Sequence, residues 1–283
     1  MTRRARVVAA VAATASLAGA ALLGWAVIVE PGRLVVRETR VGSARWPAGR
    51  PPLRLAVLTD LHVGSFRNGL GRLDEVVART NAQHPDLVVI LGDLVVHDVL
   101  LGRFVPPEAT ATRLAGLRAP LGVMAVLGNH DWWYNGYKVR RDLEANGIKI
   151  LENEVVRLDV RGTPLWLAGL ADLWTRVQRV EQTIAQVPDG ETVIALTHNP
   201  DIFPQLPQRV PLMLAGHTHG GQVRLPFIGS VVEASRFGER YEVGHVFENG
   251  HHLFVTTGIG TSIVPVRFGV PPEIVLLEVK TAG

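Results

Sequence analysis

Five times along this chain a short apolar run breaks off into carboxylate, amide or imidazole side chains. Residues 55–58 lead to Asp60 and His62, residues 87–91 lead through Gly92 to Asp93, and residues 123–127 lead through Gly128 to Asn129, His130 and Asp131. Residues 193–196 lead to His198, and residues 212–214 lead through Gly216 to His217 and His219. A run this short and this apolar is the mark of a strand buried on both faces. Polar side chains directly behind it are costly in a core. They are useful at the carboxyl edge of an open sheet, where α/β folds bind their ligands. The pattern therefore demands sheets whose strand exits share one edge.

The intervening sequence fits that demand. Leu70, Leu73, Val76 and Val77 recur at helical spacing, and residues 137–145 read as a helix ended by Asn146-Gly147. A weaker helix is expected at residues 110–117, behind Pro106-Pro107, and another around Val177, Val180 and Ile184. Residues 155–160 and 165–170 read as a hairpin across Arg161-Gly162-Thr163-Pro164. Beyond Gly220 the chain turns to strands and loops and closes on residues 274–279. Strand–helix alternation followed by β-rich sequence predicts an α/β sandwich of two sheets with helices on the outer faces. With 47% hydrophobic residues in 283, the chain can bury a large core.

Arg3, Arg4 and Arg6 precede residues 7–29, which are apolar or small apart from Thr14 and Ser16. That length matches the ~20 residues a helix needs to cross a bilayer. A cleaved signal peptide is the rival reading, but the run ends in Glu-Pro-Gly with no clean Ala-x-Ala at its exit. An uncleaved anchor is expected, with the arginines on the cytoplasmic side and the rest of the chain exported. Thr2-Arg3-Arg4 is a weak twin-arginine hint. Residues 30–52, rich in Pro and Gly, read as a tether with one short strand at 34–36, and residues 53–283 as the domain.

The net charge of +3 leaves the domain close to neutral once those three arginines are set aside. No basic stripe interleaved with aromatics is present, so nucleic acid is not an expected partner. The absence of cysteine excludes disulfides, thiolate metal sites and a Cys nucleophile.

Ten histidines give the chain its chemistry. In extended backbone, Asp60/His62 and His217/His219 would each point to one face, so either pair could reach a single metal cluster. Carboxylate, amide oxygen and imidazole without sulfur suit two divalent ions such as Mn, Fe, Zn or Co. The expected arrangement puts Asp60, His62 and His219 on one ion and Asn129, His198 and His217 on the other, with Asp93 as the bridge. Such a pair can deprotonate a trapped water for attack on phosphorus. His130, which the ligand count does not need, is left to assist the leaving oxygen, and Asp131 to orient its ring by accepting from the second nitrogen.

Asp-x-His, Gly-Asp, Gly-Asn-His-Asp, a lone His and Gly-His-x-His, in this order, resemble the calcineurin-like metallophosphoesterases over about residues 53–279. The resemblance implies a four-layer α/β/β/α sandwich of two mixed sheets and agrees with the metal assignment. Gly216-His217-Thr218-His219-Gly220-Gly221-Gln222-Val223 followed by Leu225-Pro226 is similar to a bacterial membrane-tethered branch. It implies a monomeric phosphodiesterase or phosphatase at the cytoplasmic membrane, its domain on the outer side. By analogy the substrate is a small-molecule or lipid-linked phosphoester of the UDP-diacylglucosamine type. A non-catalytic metal-binding scaffold and a nuclease are the alternatives. No ligand is missing, which counts against the first, and no basic channel is present, which counts against the second.

Weaker signals remain. His97 and Asp98 read as a solvated loop within reach of the cleft, and Asp172 as either a substrate contact or a helix cap. His251 and His252 read as exposed in a hairpin, and Trp132, Trp133 and Tyr134 as either a substrate wall or packing. Arg67, Arg224, Arg236 and Arg267 are candidate phosphate clamps.

Overall fold

The computed structural model describes residues 2–43, 46–96 and 99–282. His97 and Asp98 lie outside the described residues. Helix α1 (Arg3–Gly24) leads through a last turn at Trp25–Val29 to strand β1 (Val35–Ser43). Then come β2 (Leu53–Leu58), α2 (Leu70–Asn81), β3 (Leu87–Leu91), α3 (Pro107–Leu114), β4 (Val123–Val126), α4 (Asn129–Glu144) and β5 (Lys149–Ile150). The second half runs β6 (Glu154–Val160), β7 (Thr163–Gly169), α5 (Val180–Ile184), β8 (Val193–Leu196) and β9 (Leu212–Ala215). A small hairpin, β10 (Arg224–Leu225) and β11 (Gly229–Ser230), precedes β12 (Gly244–Glu248), β13 (His251–Val255) and β14 (Glu273–Thr281).

Two six-stranded sheets result, ordered β1-β14-β2-β3-β4-β5 and β12-β13-β9-β8-β7-β6. Both are mixed. In the first, β2, β3 and β4 run parallel and β14 opposes β2; in the second, β7, β8 and β9 run parallel and β6 opposes β7. Alternation along each strand sorts the core into layers. Leu53, Leu55, Val57, Leu87 and Val89 meet Leu165, Leu167, Ile194 and Leu212 between the sheets. Ala56, Leu58, Val88 and Ile90 face the other way, onto Leu73, Val76, Leu114 and Val139 of α2, α3 and α4. Ala195 and Met213 face Ile184 of α5 and Phe203 on the opposite side. The architecture is the expected α/β/β/α sandwich, because parallel strands need both faces covered.

Three local readings change. Residues 30–52 do more than tether: β1 is nine residues long and pairs in parallel with β14, and Trp46 is buried in the core between the sheets. His251 and His252 are buried, because β13 lies between β12 and β9 instead of at an edge. The helix expected at 137–145 begins eight residues earlier, at Asn129, and bends at Asn135. Arg161 and Gly162 close the β6–β7 hairpin with φ of 54° and 83°, the two left-handed residues of a tight two-residue turn.

Candidate metal centre

The carboxyl ends of β2, β3 and β4 in one sheet and of β8 and β9 in the other meet at one edge. Contacts between the sheets prove it: the Asp60 carboxylate accepts the His217 N–H at 3.0 Å, and His198 Nδ1 lies 2.7 Å from the Leu91 carbonyl. Asp60, His62, Asp93, Asn129, His198, His217 and His219 are all buried there.

Their side chains face one another at distances that hydrogen bonds between imidazoles and carboxylates span and that a shared cation would also impose. His62 Nε2 lies 3.2 Å from His219 Nε2, and His217 Nδ1 lies 3.2 Å from His198 Nε2. Asp93 Oδ2 lies 3.5 Å from His62 Nε2 and 3.3 Å from His198 Nε2, and Asp60 Oδ1 lies 3.4 Å from His219 Nε2. Ligands held about 2.0–2.2 Å from one cation sit roughly 3–3.5 Å apart, so these side chains have the spacing that ligands of a shared cation would have. Asn129 Oδ1 is buried without a hydrogen-bond partner among the described residues, as an atom kept for an ion would be. Three sets of side chains among the described residues, Asp60 with His62 and His219, His62 with Asp93 and His130, and Asp60 with Asp93 and His198, have the mutual spacing to hold a metal ion.

The backbone of the candidate ligands departs from the expected extended form. Asp60, His62, Asp93, His217 and His219 have φ of 49°, 36°, 54°, 72° and 52°. Left-handed conformations are costly for such residues and concentrate at functional sites. Each pair reaches its cluster because the chain coils sharply at the strand exit, not because a strand continues. Packing leaves no room for a side chain at the intervening glycines. A Cβ on Gly128 would lie 2.2 Å from Asp93 Oδ1, and one on Gly216 would lie 2.1 Å from Thr59 Oγ1.

Asp131 serves this loop. Its carboxylate accepts the backbone N–H groups of Asp93, Leu94, Val95 and Gly128, at 2.9–3.2 Å, instead of the adjacent imidazole. It stands in the first turn of α4, where a carboxylate is favoured by the exposed amides. The expected orienting bond to His130 is thus replaced by a clamp on the Asp93 loop. His130 Nε2 lies 3.4 Å from the Ser262 hydroxyl, and its ring is 4.7 Å from that of His62.

Electrostatics divides the imidazoles. Burial drives His62 and His217 down to about 3, so both are neutral and available as ligands. Burial opposes the charge on His198 as well, but the Asp93 and Asp60 carboxylates overcome it and raise that group to about 10. Burial raises Asp60 to about 7, whereas Asp93 overcomes its own burial through His198 and His62 and sits well below the usual carboxylate range.

Around these groups opens a cleft of about 510 Å³ reaching Asn129, His130, Trp133, Trp174 and Val264. Trp133 forms its wall, while Trp132 packs under the Arg176 guanidinium and Tyr134 against the core and Phe104. Trp174, 4.3 Å from the His217 ring, is the residue that sequence reasoning missed. Its one signal was its place two residues after Asp172 at a strand exit. Asp172 accepts from the Trp174 and Thr175 N–H groups and so closes a turn, not a helix start, since α5 begins at Val180 behind Arg179. Of the four arginines, Arg267 alone touches a candidate ligand, His219 Nδ1 at 3.4 Å, and it is held by the Gly260, Thr257 and Val270 carbonyls. Arg236 is bound to Asp201 and Arg224 to Glu239, while Arg67 lies beside Gly32.

Residues 53–221 match the family model described as calcineurin-like phosphoesterase. The chain is 30% identical to the uncharacterised metallophosphoesterase YkuE of Bacillus subtilis, covering 97% of this chain and 95% of that one. It is 30% identical to the phosphodiesterase YaeI of Escherichia coli, covering 98% and 99%. Among solved structures it is similar to the NAD nucleotidase of Haemophilus influenzae, with a TM-score of 0.49 and 14% identity. That match covers 74% of this chain and 46% of the other, so the chain spans about half the length of that protein.

Proposed function

Since this chain belongs to the calcineurin-like phosphoesterases and is a metal-dependent phosphoester hydrolase, we propose that it works through two divalent cations and cleaves phosphodiesters. One observation carries the dinuclear reading. A single oxygen, Asp93 Oδ2, faces His62 Nε2 on one side and His198 Nε2 on the other, at nearly equal distances. Asp60, His62 and His219 would hold the first ion, Asn129, His198 and His217 the second, and Asp93 both. When bound, the pair supplies Lewis acidity that activates water and neutralises charge on the phosphoryl group.

The chain's own residues do the rest. His130 lines the cleft within ligand spacing of His62 and Asp93 and, on this reading, hands a proton to the departing oxygen. Asp93 Oδ1 accepts the backbone N–H of His130 at 2.9 Å, which holds the backbone that carries the imidazole against the Asp93 loop. Trp133 and Trp174, with ring centroids 6.2 Å apart, give the mouth an apolar wall that excludes water and receives the leaving group's body. The phosphodiesterase named among the relatives supports diester over monoester. The wall and α1, which is long and apolar enough to cross a bilayer, support a lipid-linked ester of the UDP-diacylglucosamine type. On this reading α1 is a single-pass anchor, its arginine end cytoplasmic and the monomeric domain outside the cytoplasm.

The full chain in detergent with Mn²⁺ is expected to hydrolyse bis-p-nitrophenyl phosphate, to lose this with EDTA, and to hold two metal equivalents. A single equivalent in an active preparation would overturn the dinuclear reading. A reporter fused after Gly283 decides the side of the membrane.

A further inference from the structure

We propose that the apolar loops around the mouth of the cleft form a bilayer-contact surface, so that the metal centre opens at the lipid–water boundary. The inference rests on the reading of α1 as a membrane anchor and adds a second attachment to it.

The anchor does not leave the domain on a slack tether. The Arg267 N–H donates to the Ala26 carbonyl at 2.9 Å, Arg72 binds the Gly32 carbonyl, and Ala26, Glu30 and Pro31 are buried. Trp25 donates its indole N–H to Glu30 at 2.7 Å, and the Arg33 guanidinium lies 5.6 Å over its ring. Tryptophan and arginine at the end of an apolar helix mark the level of the membrane interface. That level is therefore pinned against the segment carrying Arg267.

The same segment reaches the cleft through Ser262, Ile263 and Val264. Hydrogen bonds tie two further loops to it. The Leu100 N–H donates to the Ile263 carbonyl at 2.9 Å, and the Phe268 N–H to the Gln222 carbonyl at 2.8 Å. These three joined loops hold Leu100, Leu101, Phe227, Ile228, Ile263 and Val264 outward. Phe227 is wholly exposed in left-handed backbone at the tip of the β10–β11 hairpin, and Ile263 is 71% exposed, also left-handed. Large apolar side chains gathered in this way are uncommon on surfaces that meet only water. A helix fixed one hydrogen bond away keeps a bilayer beside this face at high effective concentration, which selects lipid over a protein as the occupant.

The chain has no cysteine, so single cysteines report position cleanly. Phe227→Cys and Leu101→Cys in the full chain would carry an environment-sensitive NBD label, in vesicles of phosphatidylcholine and phosphatidylglycerol with brominated acyl chains. Leu17→Cys in α1 and Asp189→Cys, on a turn at the opposite end of β8, are the references. Labels at 227 and 101 are expected to shift to the blue and to be quenched by the brominated chains, as at 17, while the label at 189 stays unquenched. Quenching at 17 with labels at 227 and 101 resembling 189 would overturn the surface and leave the anchor standing. No quenching at 17 would overturn the anchor and this inference with it. Labels at 227 and 101 shielded from aqueous iodide yet untouched by brominated lipid would assign the patch to a protein partner.

Discussion

The backbone N–H of Asp93 donates to the Asp131 carboxylate at 2.9 Å, and the Asp93 carboxylate accepts the N–H of the residue just before Asp131. The two acids brace each other through the backbone: Asp93 leaves Oδ2 facing His62 and His198, while Asp131 spends both oxygens holding the loop.

Asp131→Asn is expected to damage that brace. An amide turns one acceptor into an N–H₂ facing backbone N–H donors, and each buried group left unpaired costs about 1–3 kcal/mol. Denaturant unfolding should show a loss of stability of that order, accompanied by weaker metal retention. An unchanged midpoint would show that the four contacts do not matter.

Asp93→Ala removes the oxygen facing both His62 and His198. Metal analysis should fall from two equivalents to at most one, and turnover of bis-p-nitrophenyl phosphate should vanish with it. Retention of both ions would contradict the bridging role.

His130→Ala should keep both ions while turnover drops ~10²–10⁴-fold, as for other acid–base residues. The loss should be smaller for p-nitrophenolate, which departs without a proton, than for an alkoxide. Equal losses with both leaving groups would remove the acid role.

Metal uptake should depend on pH through His198. Its group is raised to about 10, so below that pH a proton occupies the nitrogen that a cation needs. Raising the pH removes the competitor, and affinity should grow about tenfold per pH unit for each proton displaced. Chelator competition at pH 6.5 and 8.5 reads this slope, and calorimetry in two buffers counts the protons. A flat profile would mean that His198 is not a ligand.

Much of the centre is legible in the chain because polar residues placed directly after a buried strand have few other uses. Asp60, Asp93, Asn129, His198 and His217 each declare themselves in this way, without knowledge of their neighbours. The conformation that aims them is not legible. Left-handed backbone at Asp60 goes with the close packing of Gly258 and Gly216 against it, not with the spacing of the motif.

The sequence by itself determined the strands, the sandwich they build and the seven side chains gathered at its edge, since burial and periodicity are local properties of the chain. Tertiary structure alone decided that β1 joins β14, that β13 buries His251 and His252, and that Trp174 stands against His217. It also turned Asp131 from its neighbour's imidazole to the Asp93 loop. Each of these comes from pairing between residues distant in the chain, and the free energy of such pairing is carried by partners that no local pattern encodes.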